Sequence, residues 1–298
     1  MRHETGRALS VICISVMLAF TPAALAQSRL GSNNANFTAQ PPAVDQSGHR
    51  EWAWQGSESL SYGGAGHVRY EPGGEPRIIV TGDPAEVANI EVDGGVIRSR
   101  NAGIFNFNFA RGASNLEILV RGVTLDRFDL AGSATMDLGR LERDKLALAI
   151  HGSGTVNAQG QAKTLTLQVD GSGRANLDQL SAGEVNIVGN GSGKIALGTI
   201  SEAMKARMSG SGKLVAGDIA KSADLVVTGS GTVILGNVDT LSAKLTGSAT
   251  VRLASHPRQT DYHILGSAKI VMVGPDGKIT ELARMLRPER NRNRGSRD

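Results

Sequence analysis

Apolar and polar residues alternate along most of the chain, and a small tripeptide interrupts the alternation at regular intervals. Gly-Ser-Gly or Gly-Ser-Ala begins at Gly132, Gly152, Gly171, Gly191, Gly210, Gly229, Gly247 and Gly266, a spacing of 18 to 20 residues. Two residues before the first glycine stand Leu130, Ile150, Val169, Met208, Val227, Leu245 and Ile264; only Gly189 breaks the row, with Val188 one place off. Four after it come Met136, Val156, Ala175, Ile195, Leu214, Val233, Val251 and Ile270. A period of two on both sides of a glycine turn predicts strand, turn, strand. Eight copies in register let each coil stack on the last, so that the inward rows merge into one apolar column. A further apolar position nine after the glycine (Leu141, Leu180, Ile200, Ile219, Val238) predicts a third wall.

The expected fold is therefore all-β: a right-handed parallel β-helix, or β-solenoid, with coils of about 19 residues. The handedness follows from the near-universal right-handed crossover of parallel strands. Eight coils at about 4.8 Å give a rod segment of roughly 35–40 Å. Glycine suits the corner because a sharp turn calls for positive φ. The middle position is a column of serines: Ser133, Ser153, Ser172, Ser192, Ser211, Ser230, Ser248 and Ser267. They read as a structural turn ladder, and no base accompanies any one of them as a nucleophile would require. The residue three after the glycine is always Thr, Arg or Lys.

The flanks are less regular. Leu60 and Tyr62 precede Gly64-Ala65-Gly66, and Val68 and Tyr70 follow, at the offsets of the regular coils. Trp52 to Val123 thus reads as a degenerate continuation that supplies first coils and a cap. At the other end Ile279, Leu282, Ala283 and Leu286 have helical spacing and predict a short capping helix at about Thr280–Leu286, stopped by Pro288.

The first 26 residues read as a secretory signal: Arg2 and Arg7, an apolar run from Ala8 to Phe20, and the small-x-small site Ala24-Leu25-Ala26. No later stretch is apolar for long enough to span a membrane as a helix. The single cysteine, Cys13, lies in that leader, so no disulfide or thiolate site is expected beyond it. Export leaves periplasm, outer surface or medium as the destination. The formal charge of +4 is misplaced for a nucleic-acid face. Residues 284–298 alone carry six Arg against Glu289 and Asp298, and residues 27–283 are close to neutral.

Candidate chemistry is sparse. β-Helix polysaccharide enzymes work at lateral grooves lined by carboxylates, which would appear as acids at one offset in successive coils. The column five after the glycine offers Asp137, Asn157 and Asn176, then Ala196, Val215 and Ile234. One Asp and two Asn make no acid–base pair, and an outer Asn/Asp ladder is the plainer reading. His151 and Asp170 fall at one offset in neighbouring coils and read as a stacked surface pair. No catalytic residue, cofactor-binding residue or metal ligand is assigned. The aromatic groups are the candidate contact surface: Trp52 and Trp54 two apart, and Phe105, Phe107 and Phe109 alternating with Asn106 and Asn108.

Trp54-Gln55-Gly56-Ser57, Arg77-Ile78-Ile79-Val80-Thr81-Gly82-Asp83 and Leu130-Ala131-Gly132-Ser133-Ala134, with the serial Gly-Ser-Gly turns, resemble the GIN-domain family, described as putative auto-transporter adhesin head domains. The resemblance spans about Trp54 to Val273. It implies a right-handed β-helix-like fold in exported bacterial proteins and brings no catalytic residues. An autotransporter also needs a C-terminal membrane barrel. The 25 residues after Val273 are polar and basic, so a stand-alone head-like module is expected.

The expected division is a signal peptide at 1–26, a flexible segment at 27–50, a GIN-like solenoid at 51–273, a cap at 274–287 and a disordered basic tail at 288–298. The expected function is a non-catalytic envelope or secreted protein whose rigid surface serves adhesion, binding or scaffolding. The expected partner is an envelope, glycan or protein surface, or a second copy of the chain, and not nucleic acid. The rival readings are a carbohydrate-active β-helix enzyme and an envelope-sensing or assembly partner.

Overall fold

The computed structural model describes residues 48–56, 58–100, 115–274 and 276–284. The leader, Phe105, Phe107, Phe109 and the tail at 288–298 lie outside the described residues. Strands dominate, wound as a solenoid of about eight turns at the 19-residue repeat. One wall runs into each corner glycine, a second leaves it, and a third returns the chain to the next coil.

Equivalent residues of successive coils pair in parallel. On the first wall Leu130, Ile150, Val169, Gly189, Met208, Val227, Leu245 and Ile264 stand in one row. On the second, Met136, Val156, Ala175, Ile195, Leu214, Val233, Val251 and Ile270 do the same. These rows and the third-wall residues Leu141, Leu180, Ile200, Ile219 and Val238 form one continuous buried cluster. Ile264 packs against it only partly, because no described strand lies beyond it on that wall. Each apolar side chain meets its own kind above, below and across, which is how a narrow coil excludes water.

Coil length varies only where the core tolerates it. The 20-residue coils take up their extra residue at the bend after the second wall, beside Leu138–Gly139 and Leu177–Asp178. The 18-residue coil loses one on the third wall, between Ile219 and Ser222 of the coil beneath. The Gly189 row therefore does not slip: Val188 points outward, 38 % exposed. The long, flexible Met208 fills the space beside Gly189 instead.

The N-terminal end departs from simple winding. Leu60, Tyr62, Gly64 and Val68 pair in register with Phe128, Leu130, Gly132 and Met136, as the repeat offsets predict. Beyond them the stacking order no longer follows the chain. On the first wall Val96–Ser99 lies next to Ser59–Gly64, and Ile90–Asp93 folds back on it antiparallel. On the second, Glu117–Arg121 lies next to His67–Glu71, followed antiparallel by Arg77–Thr81 and then His49–Ala53. Antiparallel strands thus cover the parallel edge that would otherwise invite pairing. A five-residue helix, Pro84–Ala88, starts at Asp83, whose carboxylate accepts the Ala85 N–H at 2.8 Å. Arg50 is 4 % exposed and donates to the Val87 carbonyl at that helix's end, at 3.1 Å. His49 and Arg50 are therefore strand residues, within the segment expected to be flexible up to residue 50.

The expected capping helix is absent. Ile279–Arg284 is a strand, antiparallel to Lys269–Val273. The last second-wall strand presents a row of unpaired N–H and C=O groups; an adjoining strand satisfies them and a helix does not. Within the helical spacing, the adjacent apolar pair Leu282 and Ala283 has a specific origin. A register shift between Ile270 and Val271 passes over Leu282, so Leu282 and Ala283 both pack partly on the core.

Candidate binding surfaces

The corner is built by backbone. Gly132, Gly152, Gly171, Gly191, Gly210, Gly229, Gly247 and Gly266 all have φ between 92° and 113°. A Cβ on Gly191 would stand 2.5 Å from the carbonyl oxygen of Gly171. Each serine's N–H donates to the corner glycine of the coil beneath, as Ser192 to Gly171 at 2.9 Å and Ser211 to Gly191 at 2.9 Å. The eight serine side chains are exposed. They mark the corner without holding it together through their hydroxyls.

On the outer second wall the Asn/Asp column is a hydrogen-bonded ladder. His67 Nε2 lies 2.5 Å from Asp137 Oδ2, Asn157 donates to Asp137, and Asn176 donates to Asn157 at 2.8 Å. On the first wall Asp170 is shared in the same manner. His151 Nδ1 lies 3.2 Å from it, Asn190 donates at 2.7 Å and Gln168 at 2.6 Å. Both carboxylates are therefore held by neighbours on adjoining coils.

The third wall is concave, and residue patterns on the other walls gave no sign of it. A groove of about 1320 Å³ runs along it from Thr124 to Arg258. Its carboxylates include Asp126, Asp144, Glu202, Asp218 and Asp239. Asp144 pairs with Lys163 at 2.7 Å, Glu202 with Lys221, Asp239 with Arg258 at 3.1 Å, and Asp126 with Arg143 at 3.2 Å. Asp218 accepts the N–H of Asn237 at 2.7 Å. The first three ion pairs are each 19 residues apart, so acid and base face one another across adjacent coils. An acid matched by a base one repeat later was the readable signal for these pairs. The hydrogen bond and charge of Lys163 hold the Asp144 carboxyl below the usual carboxylate range. A general acid requires the opposite shift.

Trp52 and Trp54 lie at the N-terminal end and pack, partly buried, against the core. The Arg50 guanidinium sits 4.7 Å from the centre of the Trp52 ring. Trp54 donates to the Gly56 carbonyl at 3.1 Å and lies against Gly95. Among the described residues no group of three or more His, Cys, Asp or Glu is placed to hold a metal ion. No helix among them is long and apolar enough to cross a membrane.

The family model described as "putative auto-transporter adhesin, head GIN domain" matches residues 58–217 and 160–257, overlapping as matches to a repeating coil do. The chain belongs to the GIN-domain family. Solved structures share the fold. A putative lipid binding protein from Parabacteroides distasonis is 20% identical with a TM-score of 0.64, over 76% of this chain and 96% of that one. A putative adhesin from Bacteroides fragilis is 18% identical with a TM-score of 0.52, over 74% and 94%. Another from Parabacteroides distasonis is 19% identical with a TM-score of 0.50, over 76% and 96%. No curated protein sequence matches the chain. Membership of a GIN family indicates an adhesin-like role and an exported or surface-located protein.

Proposed function

We propose that this GIN-domain protein is a non-catalytic binding module of the cell envelope or exterior, delivered by the leader at residues 1–26. Its function is to present a long, rigid surface for adhesion or scaffolding. The observation that carries this reading is the state of the third-wall groove. Asp126, Asp144, Glu202 and Asp239 are each tied to a cation on the next coil, and Asp218 to Asn237. Five of the six groove carboxylates thus serve the stacking of coils, and the sixth, Glu142, lies 3.7 Å from Arg140 on its own strand. Such a set of ion pairs favours a binding surface over an acid–base pair.

The test is a binding screen of the purified protein against glycans, lipids and whole envelope fractions. Lipids are included because one fold relative is described as lipid-binding. Saturable binding to an envelope component supports the module; binding to none of them overturns it. Trp52, Trp54, Phe105, Phe107 and Phe109 are the candidate contact residues of this reading. Replacing the three Phe by Ser should weaken binding while the far-ultraviolet circular dichroism spectrum is unchanged.

The groove itself favours a second reading, a polysaccharide-active enzyme, because it is open and lined with carboxylates. Release of reducing ends or unsaturated products from acidic polysaccharides, abolished by Asp218→Asn, would establish that reading in place of the first.

A further inference from the structure

The outward column three residues beyond the corner glycine reads Thr, Thr, Arg, Lys, Lys, Thr, Thr, Lys from Thr135 to Lys269. In its middle, Arg174 stands in parallel register with Lys194, and Lys194 with Lys213. All three are exposed. Adjacent coils lie about 4.8 Å apart, so three positive charges are held in line along about 10 Å. Like charges directly opposite on neighbouring strands repel and weaken the sheet.

On the third wall cations stand opposite carboxylates instead. Lys163, Lys221 and Arg258 each face a carboxylate on the coil beneath. Among the described residues Arg174, Lys194 and Lys213 have no ion pair and no side-chain hydrogen bond. The outward columns beside them are neutral at these coils: Ser172, Ser192 and Ser211 on one side, Asn176, Ala196 and Val215 on the other. Asp170, one column further, is occupied by His151, Gln168 and Asn190.

A straight, evenly spaced row of cations is complementary to an extended polymer with anionic groups along its length. A small anion would meet one or two of the three. A bilayer surface is a poorer match, because Ala196 and Val215 are half-buried and no aromatic side chain flanks the row. We propose that Arg174, Lys194 and Lys213 form a binding track for a linear anionic glycan, one bearing carboxylate or sulfate groups. The proposal rests on the binding-module reading and names its ligand class.

The experiment titrates the full chain with polygalacturonate and chondroitin sulfate, with dextran as the neutral control and phosphatidylglycerol vesicles as the membrane arm. Binding to at least one anionic polymer is expected, weakening as salt rises because bound cations are released. The variant with Arg174→Gln, Lys194→Gln and Lys213→Gln should lose tenfold or more in affinity and show a shallower salt dependence. It should melt no lower than wild type, since the repulsion is removed. A matched variant with Lys163→Gln, Lys221→Gln and Arg258→Gln carries the same charge change on another wall and should keep its affinity. Equal loss in both variants overturns the track, as does vesicle binding stronger than polymer binding. A wild-type protein that ignores anionic polymers but binds another envelope component overturns the track and leaves the module standing. Binding to nothing in either experiment overturns both.

Discussion

At the scale of the residue, the corner assigns different roles to two neighbours. Gly191 has a φ of 112°, and a Cβ there would meet the Gly171 carbonyl oxygen at 2.5 Å. Ser192 contributes its N–H to the coil beneath, while its side chain faces solvent. Gly191→Ala should therefore cost at least about 2 kcal/mol, from backbone strain and a clash that backbone cannot easily relieve. Ser192→Ala should stay within about 0.5 kcal/mol, as for most exposed substitutions. Denaturant unfolding followed by circular dichroism separates the two, and similar losses at both positions would contradict a backbone-built corner. The need for glycine was legible in the sequence because only one residue type tolerates that φ. The idle hydroxyl was not, because a serine column also fits a hydroxyl ladder.

At the scale of the element, the N-terminal hairpin Ile90–Ser99 depends on one carboxylate. Burial pushes the Glu91 carboxyl up, but hydrogen bonds and charge from Arg100 and Arg98 outweigh it and hold the group below the usual range. A carboxyl depressed in the folded state adds stability above its unfolded value, and that stability is lost as pH falls through the folded one. The hairpin should therefore loosen in acid before the regular coils do. Trp54 lies against Gly95 in the hairpin turn, and the chain has only two tryptophans, both at this end. A shift in tryptophan emission below about pH 4, ahead of any loss of far-ultraviolet signal, is the expected result. Glu91→Gln should bring the emission change to neutral pH; a variant identical to wild type at pH 7 would dismiss the clamp. The first coil at this end was readable, since Leu60, Tyr62, Val68 and Tyr70 keep the regular offsets. The antiparallel, out-of-order stacking of the cap strands beyond it was not, since alternation fixes which face a side chain takes and says nothing of the neighbouring strand. Ile279–Arg284 shows the same limit, where a bulge at Leu282 lets two adjacent apolar residues of a strand, Leu282 and Ala283, both pack partly on the core.

At the scale of the whole molecule, each coil touches only its neighbours, so coils are interchangeable units. Deleting Gly191–Ser209 joins Asn190 to Gly210 and removes one 19-residue coil while keeping every inward row in phase. The shortened chain should fold with an unchanged type of spectrum and a modestly lower melting temperature. Removing half as many residues puts the inward rows out of phase and should prevent folding. Equal tolerance of both deletions, read by circular dichroism and thermal melting, would mean that register does not govern the fold. The whole-coil deletion also shortens the cationic row from three members to two.

The sequence by itself determined the coil, its corners and its inward rows, because these follow from period-two alternation and from the backbone freedom of glycine. Both are local properties repeated eight times. Tertiary structure alone decided the contour of the outside and the closure of the ends. The pairing of Asp144 with Lys163, the isolation of Arg174, Lys194 and Lys213, and the concavity of the third wall depend on which coil stands beside which. So do the antiparallel strands that close the parallel edges. Contacts between coils are set by distance in space, and residues 19 apart in the chain become neighbours only once the winding has brought them there.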